Sequence, residues 1–183
     1  MLDKSNLGLV QIFWGDGKGK TTSALGTALR ACGNGFSVKL IQFMKNGTGD
    51  QEIDYPGELK ALEKFKNFQV KRFGTGSWVI GKPKPHHIEK VEEAFIYLQE
   101  AINNPEYDII IADEILYAVQ LGLIEENKII TLIKNKPKNK ELILTGSHKP
   151  FPNIFELADL VTEIKKIKHP YDKGIMARKG LEY

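Results

Sequence analysis

Only one cysteine stands in this chain of 183 residues. A lone thiol has no partner for an internal disulfide, which fits a reducing compartment. Cys32 shares an apolar helix face with Leu25, Ala28 and Leu29, so a buried structural thiol is expected rather than a reactive one. Histidine is scarce too, at four residues. His86 and His87 follow Pro85 and are expected in solvent near a helix start; His148 and His169 are isolated. The sequence offers neither a Cys/His cluster at zinc spacing nor a Ser-His-Asp pattern.

No apolar run approaches a membrane span, and Met1-Leu2-Asp3-Lys4-Ser5-Asn6 lacks signal-peptide architecture. The expectation is a cytoplasmic protein with no membrane partner. An excess of charge is also missing: 26 Lys and Arg stand against 23 Asp and Glu, a net +3. That is too weak to argue for nucleic acid. Lys134, Lys136, Lys138 and Lys140 around Pro137 read as a solvated helix-to-strand loop. An apolar fraction of 42% and a charged fraction of 27% are ordinary for a globular protein. The length suits one domain over residues 1–183.

Glycine, by contrast, is concentrated. Gly15-Asp16-Gly17-Lys18-Gly19-Lys20-Thr21-Thr22 follows the apolar run Leu9–Trp14 and precedes a helical pattern. Strand, glycine-rich loop and helix in that order are what a phosphate-binding loop requires. Glycines let several backbone N–H groups point at one anion, and the helix adds its free N–H groups and positive end. Lys20 can reach the phosphates, and the Thr21 hydroxyl can hold magnesium. Residues 15–22 are therefore the candidate ATP-binding residues. In the common pattern G-x-x-x-x-G-K-[ST] a glycine would stand at position 14, and this chain has Trp14 there.

Strand and helix signals alternate. Strands are expected at 9–14, 38–43, 107–112 and 142–144, with a short one at 68–70 and an edge strand at 160–164. Helices are expected at 21–32, 58–66, 88–102, 116–121 and 127–134. The stretches 44–56 and 74–85 read as long loops, which often carry function. The alternation predicts an α/β fold of the P-loop NTPase-like (RecA-like) kind, a mostly parallel sheet with helices on both faces. Ligands then bind at the carboxyl ends of the strands. The glycine loop, Asp113-Glu114 and Thr145-Gly146 should converge there.

Asp113 and Glu114 end an apolar strand. A magnesium–triphosphate needs a carboxylate to complete the metal's oxygen shell. Thr21, Asp113 and Glu114 are the candidate metal ligands, and Lys20, Thr21 and Glu114 the candidate catalytic residues. An acidic pair here could instead cap the following helix. Asn135-Lys136-Pro137-Lys138 echoes a guanine-reading loop without its acid, which argues against GTP. Trp78 reads equally as a flat lid over a large ligand or as a plug against the core.

These segments resemble the P-loop ATP:corrinoid adenosyltransferases. The resemblance rests on residues 15–22 with the non-glycine Trp14, on Val38–Lys45, on Asp113-Glu114-Ile115-Leu116-Tyr117 and on Leu144-Thr145-Gly146. It continues through the tail: Val161–His169, Tyr171-Asp172, Gly174 and Gly180-Leu181-Glu182-Tyr183. It runs in order along essentially the whole chain. It implies that Co(I) of a reduced corrinoid, cob(I)alamin or a cobyrinic acid a,c-diamide type, attacks the ribose 5′ carbon of ATP and releases triphosphate. It implies Mg2+, or Mn2+, beside Lys20 and Thr21 to stabilise the leaving group, with ATP reversed in the loop. It further implies that Trp78 binds the corrinoid, that an external flavoprotein supplies Co(I), and that the protein is a homodimer. Two positions depart: Ser147 stands where relatives often have arginine, and Ser77 near a phenylalanine of some. The competing readings are a P-loop phosphotransferase or ATPase acting on a small molecule, which would release ADP, and a nucleotide-gated binding module without turnover.

Overall fold

The computed structural model describes residues 3–45, 55–76 and 81–182. The elements, in order, are β1 (Val10–Trp14), α1 (Lys20–Gly33), β2 (Val38–Gln42), α2 (Gly57–Leu62), β3 (Phe68–Arg72) and α3 (Pro85–Asn103). Then come β4 (Ile109–Asp113), α4 (Ile115–Gln120), α5 (Glu126–Asn135), β5 (Glu141–Thr145), α6 (Pro152–Phe155) and β6 (Leu160–Glu163). A single 3-10 turn, Pro170–Lys173, follows.

The six strands form one sheet in the order β3-β2-β4-β5-β1-β6, and every pairing is parallel. β2, β4 and β5 are buried at every position, as central strands covered on both faces are, and they bury Lys39, Gln42, Asp113, Glu141 and Thr145 along with their apolar residues. The two-residue period divides their side chains. Ile110, Ala112, Leu142 and Leu144 join one core, beneath α3, α4, α5 and α6. Ile109, Ile111 and Ile143 join the other, beneath α1 and α2. Each of these Ile and Leu side chains contributes about 1.5–3 kcal/mol by leaving water. β6 lies at the edge, as its alternation predicts, and leaves Leu160 and Val161 exposed.

The register positions the site. Gln42 lies opposite Asp113, and Phe13 opposite Thr145. The loops leaving β1, β2, β4 and β5 therefore emerge along one margin of the sheet.

Three expectations need correction. Cys32 is buried beside Leu25 and Ala28, but Leu29 of the same expected face is 51% exposed. His87 is buried, because α3 begins at Pro85 and places His87 in its first turn, where Nδ1 accepts the Lys84 N–H at 3.3 Å; His86 stays exposed. The lysine loop is not uniformly solvated. Lys140 is buried and donates to the Asn104 and Tyr107 carbonyls, and Lys136 donates to the Gly8 and Lys140 carbonyls. Those two staple the loop, whereas Lys134 and Lys138 face solvent. Among the described residues no helix is long and apolar enough to cross a membrane.

Candidate active site

The glycine loop is shaped by two different needs. Gly19 has φ 122° and opens α1, which no side chain caps. The first N–H groups of α1 are left for an anion. Gly15 and Gly17 are required by close approach: a Cβ on either would lie 2.3 Å or 2.8 Å from the Ile164 carbonyl oxygen. The chain leaving β6 runs against the loop there, with the Gly17 N–H donating to Ile164 O at 2.8 Å. Trp14 is still part of β1, and its ring packs on Phe155 of α6 at 5.2 Å.

The charged loop residues point in different directions. Lys20 Nζ donates to the Gly15 and Gly17 carbonyls, at 2.7 and 3.0 Å, and so bridges its own loop. Burial pulls its pKa down. Asp16 accepts the Lys166 N–H at 3.0 Å, a bond that holds its carboxyl below the usual range. Lys18 donates to Leu181 O at 2.8 Å and to Glu182 Oε1 at 3.2 Å. The C-terminal segment thus lies along the loop. Between it, α1 and α2 opens a cavity of about 370 Å³, with Lys18 and Thr22 at the loop end and Leu25, Leu29 and Leu181 along its walls. The exposed Leu29 faces this cavity.

The acidic pair sits across from Thr21. Asp113 is fully buried and receives four donors. Thr21 Oγ1 and Thr145 Oγ1 donate to Oδ1 at 2.9 and 2.6 Å; Gln42 Nε2 and Lys45 Nζ donate to Oδ2 at 3.0 and 2.9 Å. Burial opposes its ionisation, but the Lys45 charge and these donors outweigh burial and hold its pKa below the ordinary value. Glu114 adopts a left-handed conformation, φ 67°, fixed by its N–H donating to Thr145 Oγ1 at 3.0 Å. Its side chain makes no cap bond to α4, so the capping alternative fails. Burial raises the Glu114 pKa, with the Asp113 charge adding to the rise and Lys45 offsetting part of it. Gly146 makes room, since a Cβ there would stand 3.2 Å from Glu114 Oε2 and 2.8 Å from the Tyr117 nitrogen.

A hydroxyl and two carboxylates are hard oxygen donors, the kind a divalent cation such as magnesium takes. Among the described residues no cluster of three His, Cys, Asp or Glu forms a cage. Phosphate and water would supply the other ligands, as magnesium commonly requires. The glycine loop, Asp113-Glu114 and Thr145-Gly146 converge at this margin, as the sequence predicts. Sequence reasoning missed Gln42 and Lys45; the signal available for Lys45 was a lysine three residues past the end of β2, a strand that ends at the shared margin. Trp78, with Ser77, lies outside the described residues, as does Tyr183. Ser147 is buried at φ 66° and donates to Gln120 Oε1 at 3.1 Å.

Comparison with known proteins places this geometry among relatives. The family model described as ATP:corrinoid adenosyltransferase BtuR/CobO/CobP matches residues 6–183. A corrinoid adenosyltransferase of Escherichia coli is 32% identical over 179 residues, which is 96% of this chain and 86% of that protein. Corrinoid adenosyltransferase CobA of Salmonella typhimurium is likewise 32% identical, with the same coverage of both chains. Among solved structures, the cytoplasmic domain of EssC superposes with a TM-score of 0.53 at 14% identity, over 98% of this chain and 35% of that one. The chain spans about a third of that structure. This likeness speaks for the α/β fold alone.

Proposed function

The chain belongs to the ATP:corrinoid adenosyltransferase family BtuR/CobO/CobP, and we propose that the site described above carries out that family's reaction within a single domain. The reaction moves the 5′-deoxyadenosyl group of ATP to the Co(I) centre of a reduced corrinoid, in adenosylcobalamin formation or salvage. The observation that carries the reading is the convergence of loop and acidic pair: Thr21 of the anion-binding loop meets Asp113 at 2.9 Å in a chain matched over residues 6–183.

The chemistry asks little proton transfer of the protein. The electron pair of Co(I) forms the cobalt–carbon bond, the bond from the 5′ carbon to oxygen breaks, and triphosphate leaves with the electrons of that broken bond. The cobalt ends formally as Co(III). The protein must hold the leaving triphosphate and the two reactants in line. The Gly15 and Gly17 N–H groups are taken by Ser147 O and Ile164 O, so within the 15–22 loop the N–H groups of residues 18–22, at the α1 start, hold the phosphates, and the Lys20 ammonium adds charge where negative charge develops. Thr21, Asp113 and Glu114 would hold Mg2+, or Mn2+, which when bound neutralises charge on the leaving group. ATP lies reversed in the loop, with its 5′ carbon toward the corrinoid, and Trp78 meets the corrin. An external flavoprotein delivers the corrinoid as Co(I), and the enzyme works as a cytoplasmic homodimer.

The test is an anaerobic incubation with ATP, magnesium and chemically reduced cobalamin. The expected result is a light-sensitive cobalt–carbon product with stoichiometric triphosphate. Accumulation of ADP without such a product would instead identify a phosphotransferase or ATPase. Bound ATP without turnover would identify a binding module.

A further inference from the structure

Lys45 is a cation standing among the groups proposed to hold another cation. Its Nζ lies 3.0 Å from Thr21 Oγ1, 2.9 Å from Asp113 Oδ2 and 3.4 Å from Glu114 Oε1. Magnesium would bind the same oxygens at about 2.0–2.1 Å. An ammonium at these distances from all three fills the volume that such an ion needs, and two cations so close repel each other. The backbone of Lys45 is tied down, because its N–H donates to Phe73 O at 3.0 Å and the preceding Met44 is held at φ 58°. Its four-carbon stem carries the rotatable bonds through which the ammonium can leave while the backbone stays anchored.

We propose that Lys45 is a positioning residue: a resident counter-cation that holds Thr21, Asp113 and Glu114 in place and withdraws when magnesium enters with the nucleotide. This rests on the reading of those three residues as metal ligands. Metal alone must expel the ammonium from two carboxylates and give it no new partner. Metal arriving with a polyphosphate brings negative charge that the displaced ammonium can meet. The site therefore discriminates against free divalent ions and couples metal binding to nucleotide binding.

The test uses the whole protein and Mn2+, with free ion counted by electron paramagnetic resonance, with and without a non-hydrolysable ATP analogue. Lys45→Met keeps the stem length and removes the charge. Without nucleotide, Lys45→Met should bind Mn2+ at least ~10-fold more tightly than wild type, since an opposing charge is gone. Its melting temperature should rise with added magnesium more than that of wild type. If Mn2+ binds both proteins with the analogue but the variant gains nothing without it, the Lys45 inference is overturned and the metal reading stands. If neither protein binds Mn2+ even with the analogue, the metal reading fails and takes the inference with it. A variant that does not fold is bypassed by nitrogen-15 spectra of the wild-type lysine ammonium groups, with Lys45 assigned by its loss in Lys45→Arg. The Lys45 resonance should move when magnesium and the analogue are added together; an unmoved resonance under saturating conditions overturns the inference.

Discussion

Thr145→Val isolates the hydroxyl that ties β5 to the acidic pair. Thr145 is fully buried; its Oγ1 donates to Asp113 Oδ1 at 2.6 Å and accepts the Glu114 N–H at 3.0 Å. Valine keeps the shape and removes both bonds. A hydrogen bond to a charged group is worth about 1.5–3 kcal/mol, and a buried N–H left without an acceptor costs about 1–3 kcal/mol. The two losses share one atom and do not add fully, so a destabilisation of about 2–4 kcal/mol is expected. At about 2–4 °C per kcal/mol for a chain of this length, melting falls by roughly 5–15 °C. Urea unfolding should show a lower midpoint with an unchanged slope. Glu114 also loses the bond that fixes its left-handed backbone, so metal-dependent nucleotide binding should weaken with stability. Thr145→Ser restores the hydroxyl and should recover most of the loss. A valine variant within about 0.5 kcal/mol of wild type would refute the reasoning, because that is the range of an inconsequential substitution.

Lys20→Ala should lower the rate of adenosyl transfer by about 10²–10³-fold, the usual cost of removing one charge stabiliser, measured as cobalt–carbon product formed per minute. Gly15→Ala forces a side chain into a φ of 116° with its Cβ 2.3 Å from Ile164 O; a loss of more than about 2 kcal/mol in urea unfolding is expected, and a neutral result would show that the tail does not press on the loop. Asp108 gives a pH prediction. Burial opposes its charge, but Lys4 at 2.7 Å and the Ser37 N–H and hydroxyl outweigh burial and depress its pKa. Its contribution is present above the unfolded value of about 3.9 and is lost as pH falls through the lower folded value. Asp108→Asn should therefore be less stable than wild type at neutral pH, with the two urea midpoints converging in acid; parallel curves would remove Asp108 from the account. Trp78→Ala should impair corrinoid binding more than ATP binding, read as separate titrations, and an unchanged corrinoid affinity would return Trp78 to a packing role.

The parts legible in the sequence are those whose physics is local. Residues 15–22 announce themselves because strand, glycines and helix are contiguous, and β4 because Ile109 to Ala112 is an unbroken apolar run of the kind a strand covered on both faces favours. Asp113 and Glu114 follow from the same run. What stayed hidden depends on pairs distant along the chain. Lys45 acquires its meaning from residues 24 and 68 positions away, Thr21 and Asp113. Lys18 meets Leu181 across 163 positions, a contact with the tail that no local pattern announces. His87 was misplaced because α3 starts three residues before its apolar periodicity does, at Pro85, whose fixed φ suits a first helical turn. Gly15 and Gly17 stand out in the sequence, but the structural need for them, the close carbonyl of Ile164, lies in a strand exit that no local pattern connects to the loop.

The atom that cobalt attacks is the ribose 5′ carbon of ATP held by the loop of residues 15–22. Turnover with ATP carrying carbon-13 at the 5′ position, followed by carbon NMR in the dark, reads this directly. The label should shift to a cobalt-bound methylene while phosphorus NMR shows one intact triphosphate per label transferred. A label that remains in the ribose of ADP or AMP, with phosphate groups released or passed on, would contradict it.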